Sequence, residues 1–194
     1  MADPAPIINF AATRRAIVQA IAAATNLPTN RIIKERGAGP VQPPPPRPYC
    51  SFQYRIIGMR AGQDWVTPAP DAGATMYEYA GERGLSVDFT FHADNTDDAY
   101  SLALEWQFGL SEEPIRDILE AGGLSVYVVG DARDLTTLIN TGFEARAFVE
   151  AEMWVSVSRL VDLGSIDAVA LNGKIFDVDD TLKLTISTTV EAKG

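Results

Sequence analysis

Between Glu144 and Ser158 the chain alternates apolar and polar residues without a break. Ala145, Ala147, Val149, Ala151, Met153, Val155 and Val157 fall on one side. Glu144, Arg146, Phe148, Glu150, Glu152, Trp154, Ser156 and Ser158 fall on the other. A period of two predicts a strand with one buried and one open face. At ~3.3 Å per residue it spans ~50 Å, against the usual ~17–20 Å, so it reaches past the body of its own domain. The same period predicts a strand over residues 49–59, with Cys50, Phe52, Tyr54 and Ile56 inward, and one over residues 84–92. In the latter Leu85, Val87, Phe89 and Phe91 face inward and Ser86, Asp88, Thr90 and His92 face outward. Residues 181–191 alternate in the same way and are expected to finish the sheet. Shorter strands are expected over 30–34 and 124–129, and a further strand or hairpin within 162–170.

Helical spacing takes over elsewhere. In residues 8–24, Ile17, Ile21 and Ala24 share one side, with Arg14, Arg15 and Gln19 opposite, and Asn26 and Pro28 end the element. Capping residues at Asp94-Asn95-Thr96-Asp97 open a second helix, whose stripe is Ala99, Leu102, Ala103, Trp106 and Leu110, with Gly109 as its stop. Ser111-Glu112-Glu113-Pro114 opens a third, with Ile115, Ile118 and Leu119 inward and Gly122-Gly123 closing it. The connections are a proline-rich loop over 37–48, a turn-rich excursion over 62–80 with a hairpin ending near Tyr79, a short link over 131–141 and a turn over 173–180. Helix, strands, helix pair, strands is the order of an α+β fold. The expectation is a single domain, 1–194, with helices packed on a largely antiparallel sheet from which one long strand protrudes.

Composition narrows the class. The 194 residues are 46% hydrophobic and 22% charged, as in an ordinary soluble globular chain. No apolar run approaches the ~18 residues that cross a membrane. Arg14-Arg15 ahead of the apolar residues 16–24 looks faintly like a secretory signal, but Gln19 and Asp3 favour an amphipathic helix. A lone cysteine, Cys50, excludes an intrachain disulfide and a cysteine-cluster metal site, and fits a cytosolic site of synthesis. The net charge of −10 hides an asymmetry: residues 1–60 carry eight basic side chains against Asp3 and Glu35, and the remainder eight against twenty-four acids. Opposite poles of this kind suit head-to-tail association of copies, unless the two segments interleave in the fold. The overall acidity argues against broad binding to duplex nucleic acid.

Chemistry is sparse. His92, the only histidine, sits on the polar side of its strand without a serine or cysteine motif pointing to it. Cys50 reads as a small core residue. Asp177, Asp179 and Asp180 lack the glycine and terminal glutamate of a calcium loop. Asp97-Asp98 and Glu112-Glu113 stand at helix starts, where the dipole accounts for them. The run Pro43 to Pro46 is either a ligand for a proline-binding domain or a stiff connector, and its single short occurrence favours the connector. No phosphate loop, nucleophile elbow or dinucleotide fingerprint is present. An enzyme is therefore not expected, and no cofactor or metal is called for. Phe148 and Trp154 on the open face of the long strand have two readings of equal weight: a partner surface, or aromatics covered by the same chain.

Several pieces, in order, resemble the tail terminator, or neck, proteins of long-tailed bacteriophages. They are the first helix followed by Asn26-Leu-Pro-Thr-Asn-Arg-Ile-Ile33; the proline-rich loop entering Arg47-Pro-Tyr-Cys-Ser-Phe52; the strand from Leu85 to Phe91 followed by a helix; and Ala121-Gly-Gly-Leu124, Asp134-Leu-Thr-Thr-Leu138 and Gly142-Phe-Glu-Ala-Arg-Ala147 leading into the long strand. The resemblance covers most of residues 8–160, and the Phe143-Glu144-x-Arg146-Ala147 entry is its most distinctive part. It implies a structural virion protein that forms a ring, commonly of six copies, at the top of the tail tube. The ring stops tube growth, joins the tail to the head connector, and lets DNA pass without specific binding. The tube protein, the connector and further copies of the chain are the implied partners, with no membrane involved. On this reading Phe148, Trp154, Glu144, Arg146, Arg14 and Arg15 are candidates for subunit or tube interfaces. A monomeric or dimeric domain binding a small molecule or peptide is the alternative, and a hydrolase using carboxylates gathered by folding is the third reading.

Overall fold

Helix α1 (Phe10–Thr25) begins where the Asn9 side chain accepts a hydrogen bond from the Ala12 amide at 3.1 Å, and ends at Asn26 in the left-handed region with φ 56°. In the computed structural model the described residues are 8–35, 43–60, 64–69, 75–139, 142–162, 168–176 and 182–191. One turn of 3-10 helix (Thr29–Arg31) follows α1 and leads into β1 (Ile32–Lys34), which pairs parallel with β2 (Tyr49–Arg60). Short β3 (Trp65–Pro68) pairs with β4 (Met76–Ala93). Then come α2 (Thr96–Gly109), capped by the Asn95 side chain accepting from the Asp98 amide at 2.9 Å, and α3 (Glu113–Ala121) with proline in its first turn. Strands β5 (Leu124–Val129), β6 (Arg133–Asp134) and β7 (Thr137–Ile139) all pair with the long strand β8 (Gly142–Asp162). The last described elements are β9 (Ala168–Phe176) and β10 (Leu182–Glu191).

The main sheet runs β1-β2-β4-β8-β5, antiparallel except for the β1–β2 pair, and the three helices pack on one of its faces. The fold is α+β, as the pattern of elements predicts. Every inward position of β8 from Ala145 to Val157 is buried, and Val149, Ala151 and Met153 have no exposed surface. Leu85, Val87, Phe89 and Phe91 of β4 lie in the same core, with Phe89 set edge-on to Trp106 of α2 at 4.8 Å between ring centres. Small residues let the helices approach closely. A Cβ on Gly122 at the end of α3 would collide with the Ala16 methyl of α1, and one on Gly109 would come within 2.7 Å of the Ala24 methyl.

The chain forms two compact units. One comprises Met1–Val66 with Tyr79–Arg159, and the other Thr67–Glu78 with Leu160–Gly194. Within the second, β9 and β10 pair antiparallel as a two-stranded sheet, so β10 does not complete the main sheet as its alternation alone suggests. A period of two specifies a strand but not its neighbour, which is a choice of register and topology. The turn expected over 173–180 is also displaced: β9 continues to Phe176 and pairs there with Leu182. The link expected over 131–141 contains β6 and β7, too short to carry a periodic signal. Strand β4 begins at Met76, well before residue 84. Ile56, expected inward, is 43% exposed. The tail 1–7, most of the loop 37–48 before Pro43, the middle of the 62–80 excursion, and Asp177, Asp179 and Asp180 lie outside the described residues.

Candidate functional site

The sheet face opposite the helices gathers the polar sides of β2, β4 and β8. The β2–β4 register sets Tyr49 beside His92, Gln53 beside Asp88 and Arg55 beside Ser86. Gln53 Nε2 donates to Asp88 Oδ2 at 3.2 Å, Ser86 Oγ donates to Glu150 Oε1 at 3.1 Å, and Arg55 lies 3.7 Å from the same Glu150 oxygen. The outward prediction for β4 therefore needs correction: Ser86 and His92 are 2% and 6% exposed, because neighbouring long side chains lie across them.

One end of this face is built around Glu144. Its Oε1 stands 3.4 Å from His92 Nδ1 and 3.7 Å from Arg47, and its Oε2 stands 3.5 Å from Arg146. The Tyr49 ring stacks on His92 at 4.2 Å. His92 Nε2 lies 3.3 Å from Ser51 Oγ, which is in turn 2.6 Å from Glu35 Oε1. Burial pushes the His92 pKa below its ordinary value, and Glu144 opposes that shift without reversing it. Arg47 and Arg146 flank the glutamate, so the pair of cations neutralises it from both sides.

A serine, a histidine and a glutamate in sequence invite comparison with a nucleophile and its base. The hydrogen bonds argue otherwise. A carboxylate only accepts, so the Ser51 hydroxyl must donate to Glu35 and can present only a lone pair to His92. The ring then cannot take a proton from that hydroxyl, and Ser51 is 3% exposed, out of reach of a substrate. Burial also pushes the Cys50 thiol well above its usual pKa, which keeps it protonated and unreactive. Among the described residues, no group of three or more His, Cys, Asp or Glu is placed to hold a metal.

The other end of the face is aromatic. Register pairs Trp154 with Ser125 of β5, and the Trp154 ring stacks on Tyr127 with centres 4.4 Å apart and planes 17° from parallel. The Tyr127 hydroxyl donates to Glu152 Oε2 at 2.7 Å; burial first, and then this carboxylate, push its pKa up to about 12. Phe148 is half-buried opposite Arg133 of β6. Val128 and Leu135 nearby are 47% and 46% exposed. Phe148, Trp154, Glu144 and Arg146 therefore share one surface. Arg14 and Arg15 do not join them: they are exposed on α1, in the helical layer on the other side of the sheet. Ser51, Tyr127, Glu35 and Arg47 are not among the candidate interface residues that the sequence offers. Nothing local marks them; only the strand register brings them beside His92, Trp154 and Glu144.

Among the described residues this face carries ion pairs at one end and half-covered aromatics at the other. The sequence model of the family described as phage neck terminator protein matches residues 13–179. The chain belongs to this family. It is a structural protein of the phage tail-terminator type and a component of the virion. No curated protein matches the sequence. The matched span begins within α1 and takes in the main sheet with all of β8, and β9, so membership does not rest on one motif. Among the described residues no helix of this neck terminator is long and apolar enough to cross a membrane.

Proposed function

We propose that this neck terminator assembles into a closed ring, of six copies, on the last ring of the tail tube. There it halts tube growth, receives the head connector and leaves a passage for DNA. Membership of the terminator family across residues 13–179 is the observation that carries this reading. The open sheet face supports it: Trp154 and Phe148 are only half-buried in the single chain, with Val128 and Leu135 exposed beside them. Aromatic anchors inside a charged rim are the usual composition of a protein interface. Phe148, Trp154, Glu144 and Arg146 are assigned here to contacts with the next copy or with the tube. A net charge of −10 favours a lumen whose walls repel the phosphate backbone and let DNA slide. Host-cytoplasmic assembly precedes incorporation at the junction between tail and head.

Negative-stain imaging of the purified protein, alone and mixed with tail tubes, tests the proposal. Closed rings with a central channel, capping one end of each tube, are expected. A protein that stays monomeric and leaves tube length unchanged refutes it.

A further inference from the structure

Helix α1 is electrostatically inverted. A helix carries about half a positive charge at its N-terminus and half a negative charge at its C-terminus, so acids belong at the start and bases at the end. The first turn of α1 holds no acid, its last turn holds no base, and its two cations, Arg14 and Arg15, stand in its N-terminal half. Both are exposed, and among the described residues no carboxylate is within ion-pair distance of either.

The complementary surface lies at the other end of the same helix. The C-terminal ends of α1 and α2 meet there, close enough that Gly109 has no room for a Cβ beside Ala24. The last turn of α2 also lacks a base, so the C-terminal ends of α1 and α2 converge there with no basic side chain in either last turn, beside the start of α3 at Glu113. An open groove of about 400 Å³ is lined there by Ala24, Ser101, Leu104, Glu105, Phe108 and Glu112. Phe108 is 70% exposed, and Glu105 and Glu112 are exposed on either side of it. An exposed ring between two carboxylates suits a guanidinium, which can stack on the ring face and pair at its edge. Arg14 and Arg15 lie away from this groove in their own chain. Arg14 and Ala24 are ten residues apart, ~15 Å along α1.

We propose that Arg14 and Arg15 of one copy dock in the Glu105–Phe108–Glu112 groove of the next. The contact joins two different patches, and repetition of such a contact makes a ring where its rotation closes and a filament where it does not. This inference rests on the ring reading above and names one of its interfaces, on the helical side, separate from the aromatic face of β8.

The test is a charge reversal examined by sedimentation and native mass spectrometry on the full chain. Arg14→Glu with Arg15→Glu is one variant, and Glu105→Arg with Glu112→Arg is the other. Each alone should raise the concentration needed for assembly about tenfold or more, because like charges then face each other. A variant carrying all four changes should assemble again. All four side chains are exposed, so circular dichroism melts should stay close to wild type; if a reversal unfolds the chain, Arg14→Ala with Arg15→Ala and Glu105→Gln replace it. Wild-type protein that assembles while the reversals have no effect, or are not rescued in combination, overturns this interface and leaves the ring intact. Wild-type protein that stays monomeric both alone and in the presence of tail tubes overturns both.

Discussion

Replacing Trp154 with serine separates what this side chain does within one subunit from what it does between subunits. Trp154 is half-buried and stacked on Tyr127 at 4.4 Å. A fully buried aromatic removes ~150–250 Å² from water, so half-burial removes ~100 Å², worth ~2.5 kcal/mol at ~25 cal/mol per Å². The stacked pair adds ~1 kcal/mol beyond area. Trp154→Ser should therefore cost the isolated subunit about 3.5 kcal/mol. For a chain of this length that lowers the melting temperature by roughly 7–14 °C. If the exposed half of the ring is also an interface anchor, assembly should weaken by a further ~2 kcal/mol, about thirtyfold in concentration. Urea melts of the dissociated subunit give the first quantity, and sedimentation gives the second. A double-mutant cycle with Tyr127→Ala isolates the stack, with an expected coupling of ~1 kcal/mol. A full loss of subunit stability with unaltered assembly would mean that Tyr127 covers the ring completely and that this face is not an interface. Unchanged subunit stability would refute the stack itself.

Val149→Asp places a charge where β8 has no exposed surface; it should cost on the order of 4 kcal/mol, and an unchanged melting temperature would show the core face to be wrongly assigned. Gly122→Ala should destabilise by ~1–3 kcal/mol, since the new methyl collides with Ala16 and forces α1 and α3 apart; a neutral result in chemical denaturation would contradict that close approach. His92, faced by Glu144, Arg146, Tyr49, Ser51 and Glu35, has its pKa lowered in the fold. The unfolded chain therefore binds the proton more readily, and stability should fall as pH drops through and below the ordinary imidazole value of 6.5. His92→Gln should flatten that part of the stability profile, and identical slopes for the two proteins would show that the ring is not responsible.

Elements whose side chains repeat over many residues are legible directly in the chain. The alternation from Ala145 to Val157 specifies both the strand and its buried face, because seven apolar residues on one side cannot be left in water together. The capping at Asn95 and the stripe Ala99, Ala103, Trp106 and Leu110 likewise specify α2 and its inward face. The order of weak motifs also sufficed to place the chain among terminators, since several of them must coincide. Strand partnership and the content of the polar face needed the tertiary structure. β10 has the alternation of a main-sheet strand yet among the described residues pairs with β9, because periodicity carries no information about which edge accepts a strand. His92 and Ser86 look outward by parity, and are buried only because Tyr49, Glu144 and Glu150 arrive from strands distant in sequence. Charge shows the same division: the basic excess of residues 1–60 is read directly from the chain, but the juxtaposition of Glu105, Phe108 and Glu112 with two helix C-termini exists only once α1 and α2 pack.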